Sequence, residues 1–395
     1  MLLMPVDETA LAALPGPRRF FTRISAATDS GRNVLVVVPE IAVESGLAQQ
    51  IRTGIEQARC VHASLDRELL EKCGGSIPEA AALAADFIEP LSDLDTTNRW
   101  KSYLQHYESD GKVILAAGWD VDLTEDVSYW LRLVHGSSLD PESQPRFVFL
   151  VRDSDVNVES LAKEHAPHLS VLWWWDVIGI LDSELCADLA LGDQPITPLR
   201  RAMLAESLSW EIHLAEACAR MWGPTDPPSV LAKALAEAAD GANFTLDASE
   251  IDALQNSGRT NCPPVTLRRA WNAGYLNAWE GRAELSSRYM DFSDVCDRRF
   301  WSAQVRILMP FLEGQRRRLA QRFEKLASKS DVAEVSGASG LLELGRMLHA
   351  HHKRRVDFGA EEEKLLKMLV MARNRIAHHE SLGDDLYAAI TEMDN

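Results

Sequence analysis

Val34-Leu35-Val36-Val37-Val38, just after Gly31, is a continuous apolar and largely β-branched run. Strands that are covered on both faces have this composition, because neither side of such a strand meets water. Similar runs follow at Val113–Ala117, Phe147–Val151 and Val171–Trp175. Segments with helical character lie between them, near Val43–Ala58, Glu79–Ile88, Asp126–Val134 and Glu159–His165. Alternating strands and helices predict an α/β domain with a parallel sheet over residues 1–192.

Composition limits the class of protein. With 395 residues the chain exceeds the roughly 250–300 residues at which a single core stops growing, so we expect two or three domains. No apolar run reaches the roughly 18 residues that a transmembrane helix needs, and the first residues lack the basic start of a signal peptide. The six cysteines are scattered without a C-x-x-C pair. This pattern predicts a cytoplasmic protein with reduced thiols, no membrane contact and no structural metal site.

The turn after the first strand bears on nucleotide binding. It runs Pro39-Glu40-Ile41-Ala42-Val43-Glu44-Ser45-Gly46, with two carboxylates and no lysine, and no phosphate-binding glycine motif occurs in the chain. We therefore expect no cofactor and no ATPase activity. Asp120 and Asp122, after the second strand, are interpreted as solvated turn residues rather than magnesium ligands. The strand layout resembles a degenerate P-loop ATPase of the STAND type or, more loosely, the Rossmann-like CARF sensors.

Trp173-Trp174-Trp175 ends the last predicted strand. Adjacent strand residues point to opposite faces, so one core cannot take all three side chains. We expect helices on both faces of the sheet to bury them. The alternative is that one or two stack on a partner or on the next domain.

Residues 193–297 form the predicted middle domain, which begins at the Gly192–Pro195 turn. Predicted helices cover Leu199–Met221, Leu231–Ala239, Asp247–Gln255 and Leu267–Leu276, and a short hairpin follows at Trp279–Leu285. Helices followed by a glycine-turned hairpin resemble a winged helix. Arg268 and Arg269 lie where a recognition helix would be basic, but their surroundings are acidic. We therefore expect a structural or interaction role rather than DNA binding.

Residues 298–395 are predicted to be all helical. They carry 17 Lys and Arg against 14 Asp and Glu, a net charge of +3 in a chain of −18. A nucleic-acid contact is therefore expected here rather than in the acidic remainder. An apolar stripe from Trp301 to Leu326 predicts a long helix, which either kinks or begins at Pro310. Glu313 and Arg317, four residues apart, are expected to pair. A polar connection at Ser328–Ser339 precedes helices at Leu341–His352, Glu361–Met371 and Asp384–Met393.

The third of these helices leads into Arg373-Asn374-Arg375-Ile376-Ala377-His378-His379-Glu380. This string resembles the R-x(4–6)-H motif of HEPN domains, in the R-N-x-x-A-H form of Abi-like abortive-infection proteins. Glu313-x-x-x-Arg317 resembles the acidic-basic pair on their first long helix. The resemblance covers about the last hundred residues. It implies a HEPN fold, RNA as a partner, a homodimer with a composite metal-free site, and site residues Arg373, Asn374, His378, Glu313 and Arg317.

The residue types suit RNA cleavage by the 2′-hydroxyl. Arg373 offers a planar fork for phosphate oxygens, and His378 offers an imidazole that can act as acid and base. Positions five apart point about 140° away from each other on an ideal helix, so one chain does not easily bring both to one phosphate. The favoured hypothesis is a bacterial antiphage-defence protein, a metal-independent endoribonuclease gated by its N-terminal domain. The alternative is a non-catalytic HEPN scaffold or RNA-binding subunit with protein partners in a defence complex.

Overall fold

The computed structural model describes residues 10–58, 61–65, 113–117, 124–136, 144–192, 197–238, 244–287 and 292–394. The predicted helix at Glu79–Ile88, the aspartates 120 and 122, and Pro195 lie outside these residues. The chain forms two compact units. Unit 1 comprises residues 1–182 and 244–286, and unit 2 comprises residues 183–243 and 287–395. This grouping divides the segment 193–297 between the two units, whereas the sequence predicted one domain there.

The helices and strands of the described chain are labelled in chain order. The strands are β1 (Asn33–Val38), β2 (Val61–Leu65), β3 (Val113–Ala117), β4 (Arg146–Arg152), β5 (Leu169–Trp173), β6 (Leu276–Trp279) and β7 (Arg282–Leu285). The helices are α1 (Ala10–Ala13), α2 (Pro15–Asp29), α3 (Ile41–Glu44), α4 (Leu47–Ala58), α5 (Thr124–His135), α6 (Val158–Glu164), α7 (Ile180–Leu191), α8 (Pro198–Leu208), α9 (Ala215–Met221), α10 (Pro228–Ala238), α11 (Ala248–Gln255), α12 (Arg268–Asn272), α13 (Phe292–Leu326), α14 (Lys329–Ser336), α15 (Leu344–His352), α16 (Gly359–Ala377) and α17 (Asp384–Asp394).

Unit 1 contains a five-stranded parallel sheet in the order β2-β3-β4-β1-β5. Residues of β1, β3 and β4 are buried almost throughout, as their continuous apolar runs predicted. The four predicted strands are confirmed, but β5 both begins and ends two residues earlier than the predicted Val171–Trp175, so Trp174 and Trp175 follow the strand. The edge strand β2 was not predicted. The predicted helix Val43–Ala58 is two helices, because Gly46 breaks it with a φ of +77°.

The three consecutive tryptophans are all buried, with 8%, 3% and 4% of their surface exposed. Trp174 packs edge-on against Phe20 of α2, with ring centroids 5.1 Å apart. Trp173 lies 5.6 Å from Trp271, which belongs to the later segment of the same unit. The expectation that the fold buries them is confirmed, and part of the cover comes from residues 244–286.

Three histidines meet where α5 and α6 end and β5 begins. The His135 ring lies 4.0 Å from that of His168 and 6.1 Å from that of His165. The buried His165 contacts Ser128 Oγ through Nε2 at 3.0 Å. Burial first, and then the neighbouring His168, His165 and Arg146, lower the pKa of His135 from 6.5 to about 4. Burial and these neighbours therefore keep His135 uncharged at neutral pH.

The segment 244–286 joins unit 1 through charged and aromatic contacts. Asp247 caps α11 with a reciprocal capping box involving Glu250. The predicted hairpin is confirmed as β6 and β7, but the predicted helix Leu267–Leu276 is only the five residues of α12. Arg268 stacks over Trp173 at 4.6 Å and pairs with Glu159, which lowers the pKa of that carboxyl. Arg269 pairs with Glu250. Both basic side chains are thus engaged inside unit 1.

Unit 2 is built around α13, a 35-residue helix that continues through Pro310. Leu308, Leu312, Leu319 and Phe323 are buried on one face of it, as the apolar stripe predicted. Two expectations are wrong. Leu199–Met221 is not one helix, because Ser209 adopts a φ of +49° and ends α8. Ser328–Ser339 is not a mere connection, because Ser328 caps the eight-residue helix α14 by accepting the amide of Asp331.

Candidate active site

The HEPN-like motif lies at the carboxyl end of α16. Arg373 and Asn374 are in its last turns, and His378 follows immediately, with its amide bonded to Asn374 O at 3.0 Å. His379 has a φ of +61°, and the amide of Glu380 returns to Arg375 O at 2.9 Å. This is the pattern of a Schellman ending, in which glycine usually takes the left-handed position. The predicted helix Glu361–Met371 was too short, so Arg373 is helical rather than beyond the helix.

Side chains of α13 hold this ending in place. Trp301 Nε1 donates to Ile376 O at 2.8 Å, and the Trp301 ring stacks on His379 with centroids 4.6 Å apart and planes 29° apart. Gln304 is fully buried, and its Oε1 accepts the Leu382 amide at 2.7 Å. Ile376 O also accepts the His379 amide at 3.2 Å, so the indole is a second donor to this carbonyl at the helix end. The backbone on both sides of His378 is therefore fixed.

The two principal motif residues differ in their contacts. Arg373 reaches Glu343, with Nη2 and Oε2 3.3 Å apart, and both side chains are partly exposed. His378 lies one helical turn after Asn374 and therefore on nearly the same face of the helix as Asn374. Among the described residues the His378 ring has no hydrogen-bond partner. That one chain cannot easily bring Arg373 and His378 to one phosphate stays a prediction from their helical spacing.

Glu313 and Arg317 form the predicted pair, with Arg317 Nε 2.9 Å from Glu313 Oε1. The stronger partner is Arg316, which the sequence analysis missed and which contacts both Glu313 oxygens at 2.7 and 2.8 Å. Hydrogen bonds from Arg316 and then Arg317 lower the pKa of Glu313 to about 2. Arg316 also donates to Leu342 O at 3.0 Å, next to Glu343. Arg316 thus connects Glu313 to the backbone beside Glu343, and Glu343 in turn pairs with Arg373.

An open groove of about 1020 Å³ runs between α16 and α17. Its floor is apolar, one wall is basic and comes from α16, and the other is acidic and comes from the start of α17. The floor contains Met368, Met371, Leu386 and Ala389. The basic wall contains Lys364, Lys367 and Arg375, and the acidic wall contains Asp384 and Asp385. Asn374 also lines the groove. Met371 is 54% exposed, so this apolar surface is open to a partner.

Neither a protein-family model nor a curated protein sequence matches this chain. Within the described ranges, no group of three or more histidine, cysteine or carboxylate side chains is arranged to hold a metal ion. None of the helices that the structure describes is both long enough and apolar enough to cross a membrane. The HEPN resemblance therefore rests on the motif, its helical setting and the Glu313–Arg317 pair.

Proposed function

We propose that the helices of unit 2 act as a HEPN-type, metal-independent endoribonuclease in a bacterial antiphage-defence protein. The observation that carries this proposal is the ending of α16. There an arginine fork, an amide and an imidazole are all exposed on a backbone that Trp301 and Gln304 hold rigid. A backbone held in place carries these side chains without rearranging during reaction, which favours electrostatic catalysis.

The chemistry assigns one role to each side chain. His378 takes the proton from the 2′-hydroxyl as it attacks the adjacent phosphorus, and returns a proton to the leaving 5′-oxygen. Arg373 donates to the non-bridging oxygens, whose negative charge grows in the transition state. Asn374, one turn before His378, orients the phosphate or the imidazole. The products are a 2′,3′-cyclic phosphate and a free 5′-hydroxyl.

We propose that the active species is a homodimer. The helical spacing of Arg373 and His378 favours a site that takes one residue from each copy. The groove between α16 and α17 supports this, because a two-fold axis sets the basic wall of one copy against the acidic wall of the other. Its exposed methionine floor supplies apolar area to bury. We also propose that unit 1 gates the site. Its segment 244–286 is held on the sheet by ion pairs and aromatic contacts, in keeping with that role.

The test uses the full chain and purified total RNA with EDTA present. Wild type is expected to cleave, and His378→Ala and Arg373→Ala to lose activity by about 10²–10⁴-fold. Both side chains are exposed, so circular dichroism and melting temperature should stay near wild type. His349→Ala, a change at another exposed histidine of unit 2, serves as the control and should cleave normally. Normal cleavage by His378→Ala would refute the assigned chemistry.

One observation favours a second candidate, a non-catalytic HEPN scaffold or RNA-binding subunit. Among the residues that the structure describes, nothing orients the His378 ring, and Arg373 is occupied by Glu343. A general base is normally held by a hydrogen bond. If a dimeric wild type binds RNA without cutting it, with partner proteins of its operon added, the scaffold interpretation replaces the ribonuclease.

A further inference from the structure

His379 adopts a backbone conformation that favours glycine over residues with a Cβ. Its φ of +61° is left-handed, at the helix-ending position where glycine is usual. A residue with a Cβ pays about 1–2 kcal/mol there. Glycine would form the same ending without that cost. Strain of this kind persists where the side chain has a use, so the function of the imidazole ring needs an explanation.

The ring of His379 is backed on one side only. It stacks on Trp301, and the Trp301 indole is itself anchored by its 2.8 Å hydrogen bond to Ile376 O. His379 is nevertheless exposed. One face of the imidazole therefore rests on a fixed aromatic ring while the other face is open, directly beside His378. This is a rigid, flat, solvent-facing aromatic surface.

The His379 ring contributes to the ending of α16 by stacking on Trp301, but it makes none of the hydrogen bonds there. The hydrogen bonds that hold this ending run from Trp301 to Ile376 O, from Gln304 to the Leu382 amide, and from Arg375 Nε to Ser381 O at 2.8 Å. None of them uses the imidazole of His379. The hydrogen bonds of this ending therefore do not require a histidine at position 379.

We propose that the open face of His379 is a stacking subsite for an unpaired base of single-stranded RNA. Aromatic rings accept bases by stacking with little regard to sequence, at about 1–3 kcal/mol per base. A base held there brings its sugar and phosphates to His378, on the adjoining residue. Arg375, in the same ending, lies 3.7 Å from Glu380, the residue after His379, and so offsets the charge of that carboxylate.

This subsite rests on the proposed function for its choice of RNA, but it is tested separately from cleavage. The probe is a short, unstructured, fluorescently labelled 2′-O-methyl RNA, which lacks the attacking hydroxyl and is not cut. Its affinity for the full chain is measured by fluorescence anisotropy. His379→Gly and His379→Asn remove the ring but suit the left-handed backbone, so both proteins should fold and melt at or above the wild-type temperature.

Both variants are expected to bind the probe about 5- to 150-fold more weakly than wild type. His349→Asn, the matched control, should bind as wild type does. With an abasic probe of the same length, the difference between wild type and His379→Gly should disappear. Equal binding of the base-containing probe by wild type and both variants would overturn the subsite, as would a wild type that does not bind it. If wild type cleaves RNA, the ribonuclease proposal stands whatever the probe shows. If wild type binds the probe through its bases but does not cleave RNA, the ribonuclease proposal fails and the subsite stands.

Discussion

Acidification is expected to weaken unit 1 through His135. The pKa of this histidine is about 4 in the folded chain and 6.5 in the unfolded chain. Between these two pH values the folded state therefore binds fewer protons than the unfolded state. The stability that this difference provides is complete above pH 6.5 and is lost as the pH falls toward 4. A fall in the pKa from 6.5 to about 4 corresponds to about 3.4 kcal/mol. Because His135 is only partly buried, solvent screening reduces this to about 1–2 kcal/mol.

The assay is urea unfolding at intervals between pH 7.5 and 4.5, followed by tryptophan fluorescence. His135→Gln keeps a polar side chain that does not titrate. Carboxylates also titrate in this range, but they do so equally in both proteins, so the difference between the two curves isolates His135. The variant should gain about 1–2 kcal/mol relative to wild type across the range. Parallel curves would show that the histidine cluster does not depress this pKa.

Four further outcomes are expected. Glu343→Gln should change melting and RNA cleavage little, by less than about fivefold, because an exposed ion pair contributes at most about 1 kcal/mol; a hundredfold loss of cleavage would make Glu343 essential to the site. Arg373→Lys should restore little activity compared with Arg373→Ala, since an ammonium lacks the two-pronged contact; wild-type cleavage would exclude a fork. Asp385→Lys should reduce the dimer seen by light scattering, and adding Lys364→Glu should restore it; a dimer unaffected by either change lies elsewhere. Phosphate release from ATP should stay at background, because the turn Pro39–Gly46 is acidic and lacks lysine, and turnover above background would contradict this.

Most of the sheet could be predicted from the sequence because buried parallel strands are apolar at every position. The edge strand β2 was not predicted because Val61-His62-Ala63-Ser64-Leu65 alternates apolar and polar residues. The four predicted strands were recognised as continuous apolar runs. The order of the strands depends on contacts between residues far apart in the chain, as in the pairing of Val34 with Val148. Local periodicity carries no such information.

The candidate site shows the same division. Glu313 and Arg317 could be paired from their spacing because an i,i+4 contact is local to one helix. Glu343 reaches Arg373 from 30 residues away and Trp301 reaches Ile376 from 75, so only the packed structure reveals them. The break at Ser209 was also hidden, because a left-handed serine leaves the apolar pattern on either side intact.

The interleaving of the two units has a consequence for how the chain is made. A ribosome releases residues in order, yet unit 1 is not complete until residue 286 has emerged, after residues 183–243 of unit 2. Those residues must wait for α13, because α8 packs on α13 and the buried Arg299 of α13 donates to Ser207 O at 2.8 Å. A fragment that starts at residue 298 leaves that buried surface bare. The last hundred residues thus depend on a segment synthesised much earlier, and a truncation that isolates them removes part of their own core.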